Sequence, residues 1–103
     1  MTDTTPTTNT VPKVELKKRI DLLVPIKTPT GEVSSITLRR PKVSEMVRFQ
    51  SQAKGLKLDD AEEELLIYAN LSEEKLTMED IGELDFGDFA KLQRWFRSIQ
   101  TAA

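Results

Sequence analysis

From Ile20 the chain alternates, with Ile20, Leu22, Val24 and Ile26 on one side and Asp21, Leu23, Pro25 and Lys27 on the other. A period of two is the signature of a half-buried strand. Pro25 has no N–H to give a ladder, so this strand is expected at a sheet edge or interrupted at that point. The stretch Thr28-Pro29-Thr30-Gly31-Glu32 then supplies turn chemistry, because proline presets φ at the first turn position and Gly31 tolerates a positive φ. A hairpin follows, with a second strand from Glu32 to Arg40 in which Ile36 and Leu38 alternate against Val33, Ser35, Thr37 and Arg39.

Beyond Pro41, which ends the strand by disfavouring helical geometry at Arg40, the apolar period lengthens. Ser44 is the expected N-cap of a helix over Glu45 to Lys54, stopped by Gly55, with Met46, Val47, Phe49 and Ala53 as its apolar stripe. Asp59 or Asp60 caps a second helix with an acidic first turn, suited to the positive end of the helix dipole. Ala61, Leu65, Tyr68 and Ala69 recur on it at helical spacing, and Leu71-Ser72 breaks the pattern. Thr77 with Asp80 resembles a capping box for a short helix through Leu84. Asp85 opens a last helix to about Gln100, carrying Phe89, Leu92, Phe96 and Ile99 on one face. The sum is an α+β fold, an N-terminal β-hairpin followed by three or four α-helices, with no internal repeat. Residues 1–12 are threonine-rich and aperiodic, and the basic run Lys13 to Arg19 is either more tail or a lead-in to the first strand. The expected division is a flexible N-terminal tail over 1–18 and a single domain over 19–100.

Composition narrows the chemistry. The 103 residues include no cysteine and no histidine, which removes disulfides, Cys/His zinc sites, thiol nucleophiles and imidazole general bases. The acidic runs lack the alternating ligands and sharp-turn glycine of a calcium loop, and the glycines form no phosphate-cradling run. No enzymatic activity, cofactor or metal is therefore expected. The first residues carry no basic segment followed by an apolar run, and Leu22 to Ile26 is far too short to cross a bilayer, so a soluble, untargeted protein is expected.

Net charge is only −2, yet it is segregated: residues 37–54 hold five bases against one acid, residues 55–90 hold twelve acids against two bases, and residues 91–103 add three bases. Such a pattern favours intramolecular pairing or a polar interaction face over generic nucleic-acid affinity. Arg39 and Arg40 accordingly have three readings. They pair with acidic helices of the same chain, or one of them orients an acidic helix of a partner, or, third in order, they belong to a nucleic-acid site over 37–54. The last helix carries Trp95 one position off its apolar seam, where an indole suits the rim of an interface. Met46, Phe49, Leu65, Leu66, Tyr68 and Trp95 fit the lining of an apolar groove and equally fit an interior.

Taken in order, the hairpin, the run Ile36 to Met46, the acidic stretch and the segment from Leu71-Ser72 through Leu84, Asp88-Phe89 and Leu92 resemble the phage tail assembly chaperones of the Mu-like contractile-tail type. The resemblance covers about Leu22 to Phe96. Glu73 stands where such chains often carry proline. The resemblance implies a protein that binds the tape measure protein, keeps it soluble in the host cytoplasm during tail assembly, and is absent from the mature virion. It also implies, in many phages, a longer frameshifted form whose extra segment recruits tail tube subunits. Arg39, Arg40, Met46, Phe49, Tyr68 and Trp95 are the candidate partner-binding residues, with neither nucleic acid nor membrane as partner. The alternatives are a structural tail or capsid component and a small nucleic-acid-binding regulator.

Overall fold

The computed structural model describes residues 14–101. Two antiparallel strands, β1 (Lys17–Thr28) and β2 (Gly31–Arg39), form a hairpin, and four helices follow: α1 (Val43–Gly55), α2 (Asp60–Leu71), α3 (Met78–Gly82) and α4 (Phe86–Thr101). The architecture is α+β, as the periodicities predict. Of the tail expected over residues 1–18, residues 1–13 lie outside the described residues, and β1 begins at Lys17, two residues inside that stretch, with Lys17 opposite Arg39 and Lys18 opposite Leu38.

Pro25 does interrupt the ladder. Pairing runs regularly from Lys17–Arg39 to Asp21–Ser35 and resumes at Ile26–Val33, so four residues of β1 face a single residue of β2. The slip explains why Val24, expected beside Ile20, Leu22 and Ile26, is exposed while those three are buried. The loosened backbone is held instead by α4, because the Asp88 carboxylate accepts the N–H of Leu23 at 2.9 Å and of Val24 at 3.0 Å. At the hairpin end Gly31 adopts φ 136°, a conformation that glycine reaches without a Cβ penalty.

Both ends of α1 differ from the sequence reading. Its N-cap is Lys42, not Ser44: the Glu45 side chain reaches back to the Lys42 N–H at 3.0 Å, which draws the helix start forward and places Ser44 inside the first turn. Gly55 stays helical, and the left-handed residue that ends the helix is Lys57, at φ 58°. The expected stripe is also narrower, since Phe49 and Ala53 are buried and Met46 packs against the core, but Val47 points to solvent. In α2 the cap is Asp59, whose carboxylate accepts from Glu62 N–H while Glu62 returns the bond to Asp59 N–H. Its buried run, Leu66, Ile67, Tyr68 and Ala69, is wider than one stripe, and Ala61 is exposed. Helix α2 is covered from several sides, by α1, α3 and β2. A short connection then reinforces the hairpin: Glu73 N–H donates to the Thr37 carbonyl at 2.8 Å, and the Glu74 carboxylate accepts the Thr37 N–H. The remaining caps are as expected, Thr77 with Asp80 on α3 and Asp85 before α4. The core gathers Ile20, Ile36 and Leu38 from the hairpin, Phe49 from α1, Tyr68 and Leu71 from α2, Ile81 from α3 and Leu92 from α4.

A candidate partner-binding groove

The arginine pair divides. Arg39 turns to the first turn of α1, where its guanidinium meets Glu45 at 2.8 Å on both carboxylate oxygens. Two parallel charge-assisted bonds of this kind fix geometry as well as contribute energy. The Arg39 bond, the Lys42 N–H and the nearby charge of Arg48 hold the Glu45 carboxyl at about 2, well below its ordinary 4.5. Arg39 thus has an intramolecular role, and its partner is Glu45 of α1, not the acidic stretch after residue 55. The stabilisation requires an ionised Glu45. With a folded pKa below the unfolded one, it is complete above about pH 4.5 and is lost as pH falls towards about 2. Urea titrations of wild type and Glu45→Gln should therefore differ at pH 6 and converge near pH 2; an equal gap at both pH values would show that Glu45 titrates normally.

Arg40 continues outward. Its N–H donates to the Leu16 carbonyl at 2.8 Å, which lays residues 14–16 alongside the end of β2. Between this segment, the first residues of β1 and the second half of α4 runs an open groove of about 1270 Å³. Val14, Ile20, Trp95 and Ile99 give it apolar surface, and Lys17, Lys18, Arg19, Arg40, Lys91 and Arg94 give it six positive charges against Glu15 and Asp21. A second, smaller depression of about 440 Å³ adjoins it, sharing Arg40 and Ile99 and adding Pro41, Val43, Met46 and Phe96.

Of the six expected binding residues, three therefore meet on one surface: Arg40, Met46 and Trp95. Phe49, 5% exposed, and Tyr68, 1% exposed, belong to the core instead and offer no ring to a partner. Tyr68 sits edge-on to Phe89 and Phe96, with ring centroids 5.6 Å and 5.7 Å away. Its hydroxyl donates to Glu64 at 2.8 Å, and burial first, then that carboxylate, pushes its pKa up. Burial of both rings follows from the packing of α1 and α4 around α2, which puts the apolar faces of these helices inside. Lys18 and Arg94, which are not among those six, line the same groove. The basic run that leads into β1 is visible in the sequence, but only the Arg40–Leu16 bond and the crossing of α4 over β1 bring it opposite Trp95.

The joint that places α4 is Asp88. This carboxylate is fully buried, accepts two β1 amides, and meets the Lys91 ammonium at 3.1 Å, while Lys91 also donates to the Asp21 carbonyl. Burial alone pushes the Asp88 carboxyl up, and the Leu23 and Val24 amides with Lys91 outweigh it and hold it below its ordinary value. Among the described residues no cluster of three or more His, Cys, Asp or Glu is arranged to hold a metal ion, and no helix is long and apolar enough to cross a membrane. What the described residues define is a small α+β domain with a basic, partly apolar groove between β1 and α4.

The family described as "Phage tail assembly chaperone proteins, E, or 41 or 14" matches residues 19–99, and the chain belongs to it. No curated protein and no solved structure matches the chain.

Proposed function

We propose that this protein binds the tape measure protein during phage tail assembly, keeps it soluble in the host cytoplasm, and leaves before the virion is complete. It works by binding, with no bond-making step of its own. The observation that carries this reading is that the family match covers nearly the whole folded domain, from Arg19 to Ile99. The groove at Trp95 is consistent with it, since a chaperone for a long helical partner needs apolar surface to mask side chains and charge at the rim to keep the complex in solution. A longer frameshifted form that engages tail tube subunits belongs to the same reading.

Co-expression tests it. The tape measure protein encoded with this chain should move from the insoluble to the soluble fraction when both are made together, and the two should co-purify. Purified virions should lack the chain. An insoluble tape measure protein in the presence of abundant folded partner would overturn this reading, and stoichiometric recovery of this chain in mature particles would show it to be a structural component instead.

A further inference from the structure

We infer that the groove between β1 and the second half of α4 is built for an acidic amphipathic helix, one whose apolar stripe lies on Trp95 and Ile99 with carboxylates on both flanks. That the helix belongs to the tape measure protein rests on the function proposed above; the chemistry of the groove does not.

Charge is the first argument. Three of the six bases already have partners: Lys17 meets Glu73, Arg19 meets Asp21 and Lys91 meets Asp88, each at 3.1 Å. Lys18, Arg40 and Arg94 make no ion pair with another described residue, and they come from β1, the residue just after β2, and α4. Uncommitted positive charge from three elements around one indole matches a ligand bearing acids on two sides of an apolar strip. It matches nucleic acid poorly, since the groove offers a single aromatic ring for stacking and holds two carboxylates of its own.

Shape is the second. A strand adding to the free edge of β1 could pair no further than Ile20, because the Asp21 carbonyl is taken by Lys91 and the Leu23 and Val24 amides beyond it by Asp88. Strand addition needs free main-chain groups, whereas a helix satisfies its own and needs only a trough for side chains. A helix is about 10–12 Å across, and a groove of about 1270 Å³ accepts a few turns of one laid along it. The apolar line does not stop at the groove mouth. Ile99 and Arg40 are shared with the depression that holds Met46, so a helix following Trp95 and Ile99 meets further apolar surface.

Trp95 is the chain's only tryptophan and reports directly on occupancy. The probes are two synthetic helical peptides with the same leucine stripe at i, i+3, i+4 and i+7, one flanked by glutamate and one by lysine. The Glu-flanked peptide should shift Trp95 emission saturably, the Lys-flanked peptide should not, and added salt should weaken binding by about ten-fold between low and high ionic strength. The double variant Arg40→Glu, Arg94→Glu should bind the Glu-flanked peptide at least about ten-fold more weakly and gain affinity for the Lys-flanked one. Its urea midpoint should stay at the wild-type value, because neither arginine is tied into the fold by an ion pair.

Equal binding of both peptides, no saturable shift, or tighter binding of a single-stranded oligonucleotide would overturn the inference. So would wild-type self-association in sedimentation that the double variant abolishes, because the groove would then be occupied by a second copy. The two levels separate cleanly. If the double variant loses the Glu-flanked peptide yet still solubilises the tape measure protein, the assignment of the groove's helix to that protein fails and the chaperone reading stands. If the Glu-flanked peptide binds as described but the tape measure protein stays insoluble, the chaperone reading fails and the groove assignment stands.

Discussion

Asp88→Ala is expected to lower the unfolding free energy by about 2–4 kcal/mol, because one truncation strips two amides of their acceptor and leaves a lysine without its buried counter-charge. The carboxylate is fully buried, and its bonds to Leu23, Val24 and Lys91 are all at 3.1 Å or less. Leu23 is 78% exposed, so water reaches part of the released backbone and keeps the cost below that of a wholly interior pair. Asp88→Asn should cost less, since the amide oxygen still accepts from one of the two N–H groups but its NH₂ faces the other donors. Urea unfolding at constant m reads both values, and hydrogen exchange reads the location: the Leu23 and Val24 amides should lose protection ahead of the β2 amides. A loss under about 0.5 kcal/mol for Asp88→Ala, the range of an ordinary surface change, would mean that the joint between α4 and β1 does not depend on this residue.

The same joint shows where sequence reading succeeds and where it stops. Alternation, Pro29-Thr30-Gly31 and the Thr77–Asp80 spacing are local signals, and each is answered by a local element: the hairpin, its turn and a capped short helix. The interruption at Pro25 was legible for the same reason, a missing N–H. What fills the interruption was not, because Asp88 lies more than sixty positions along the chain and reads locally as one more acid near a helix start. Lys42 as N-cap was hidden too. Its side chain caps nothing, and the start of α1 is set by Glu45, which is positioned in turn by Arg39 from the preceding strand. The candidate groove residues follow this rule. Arg40 and Trp95 were identified as single residues with suitable chemistry, but their meeting, with Lys18 and Arg94 added, depends on how α4 crosses β1. Phe49 and Tyr68 lie in the core, and the sequence does not foretell it because an amphipathic stripe looks the same whether its cover is the protein's own helices or a partner's.

That last ambiguity gives the second large effect. Phe49→Ala is expected to destabilise the domain by about 3–5 kcal/mol, the range for deleting a buried phenyl ring and leaving a cavity behind. Phe49 is 5% exposed and lies in the core cluster with Tyr68 and Leu71, so α1 loses the larger of its two buried side chains. Small domains hold about 5–15 kcal/mol in total, and the variant should therefore unfold at a much lower urea midpoint. Trp95→Ala should separate the two readouts. The ring is half-buried, packing in part against the core cluster and in part lining the groove, so its loss should lower the midpoint clearly less than Phe49→Ala does and leave a folded protein, while binding of the Glu-flanked peptide disappears. The pair of variants separates interior from interface on the same two measurements. A Phe49→Ala protein as stable as wild type but unable to bind would place Phe49 on the surface after all, and a Trp95→Ala protein that unfolds like Phe49→Ala would move the indole from the groove into the core.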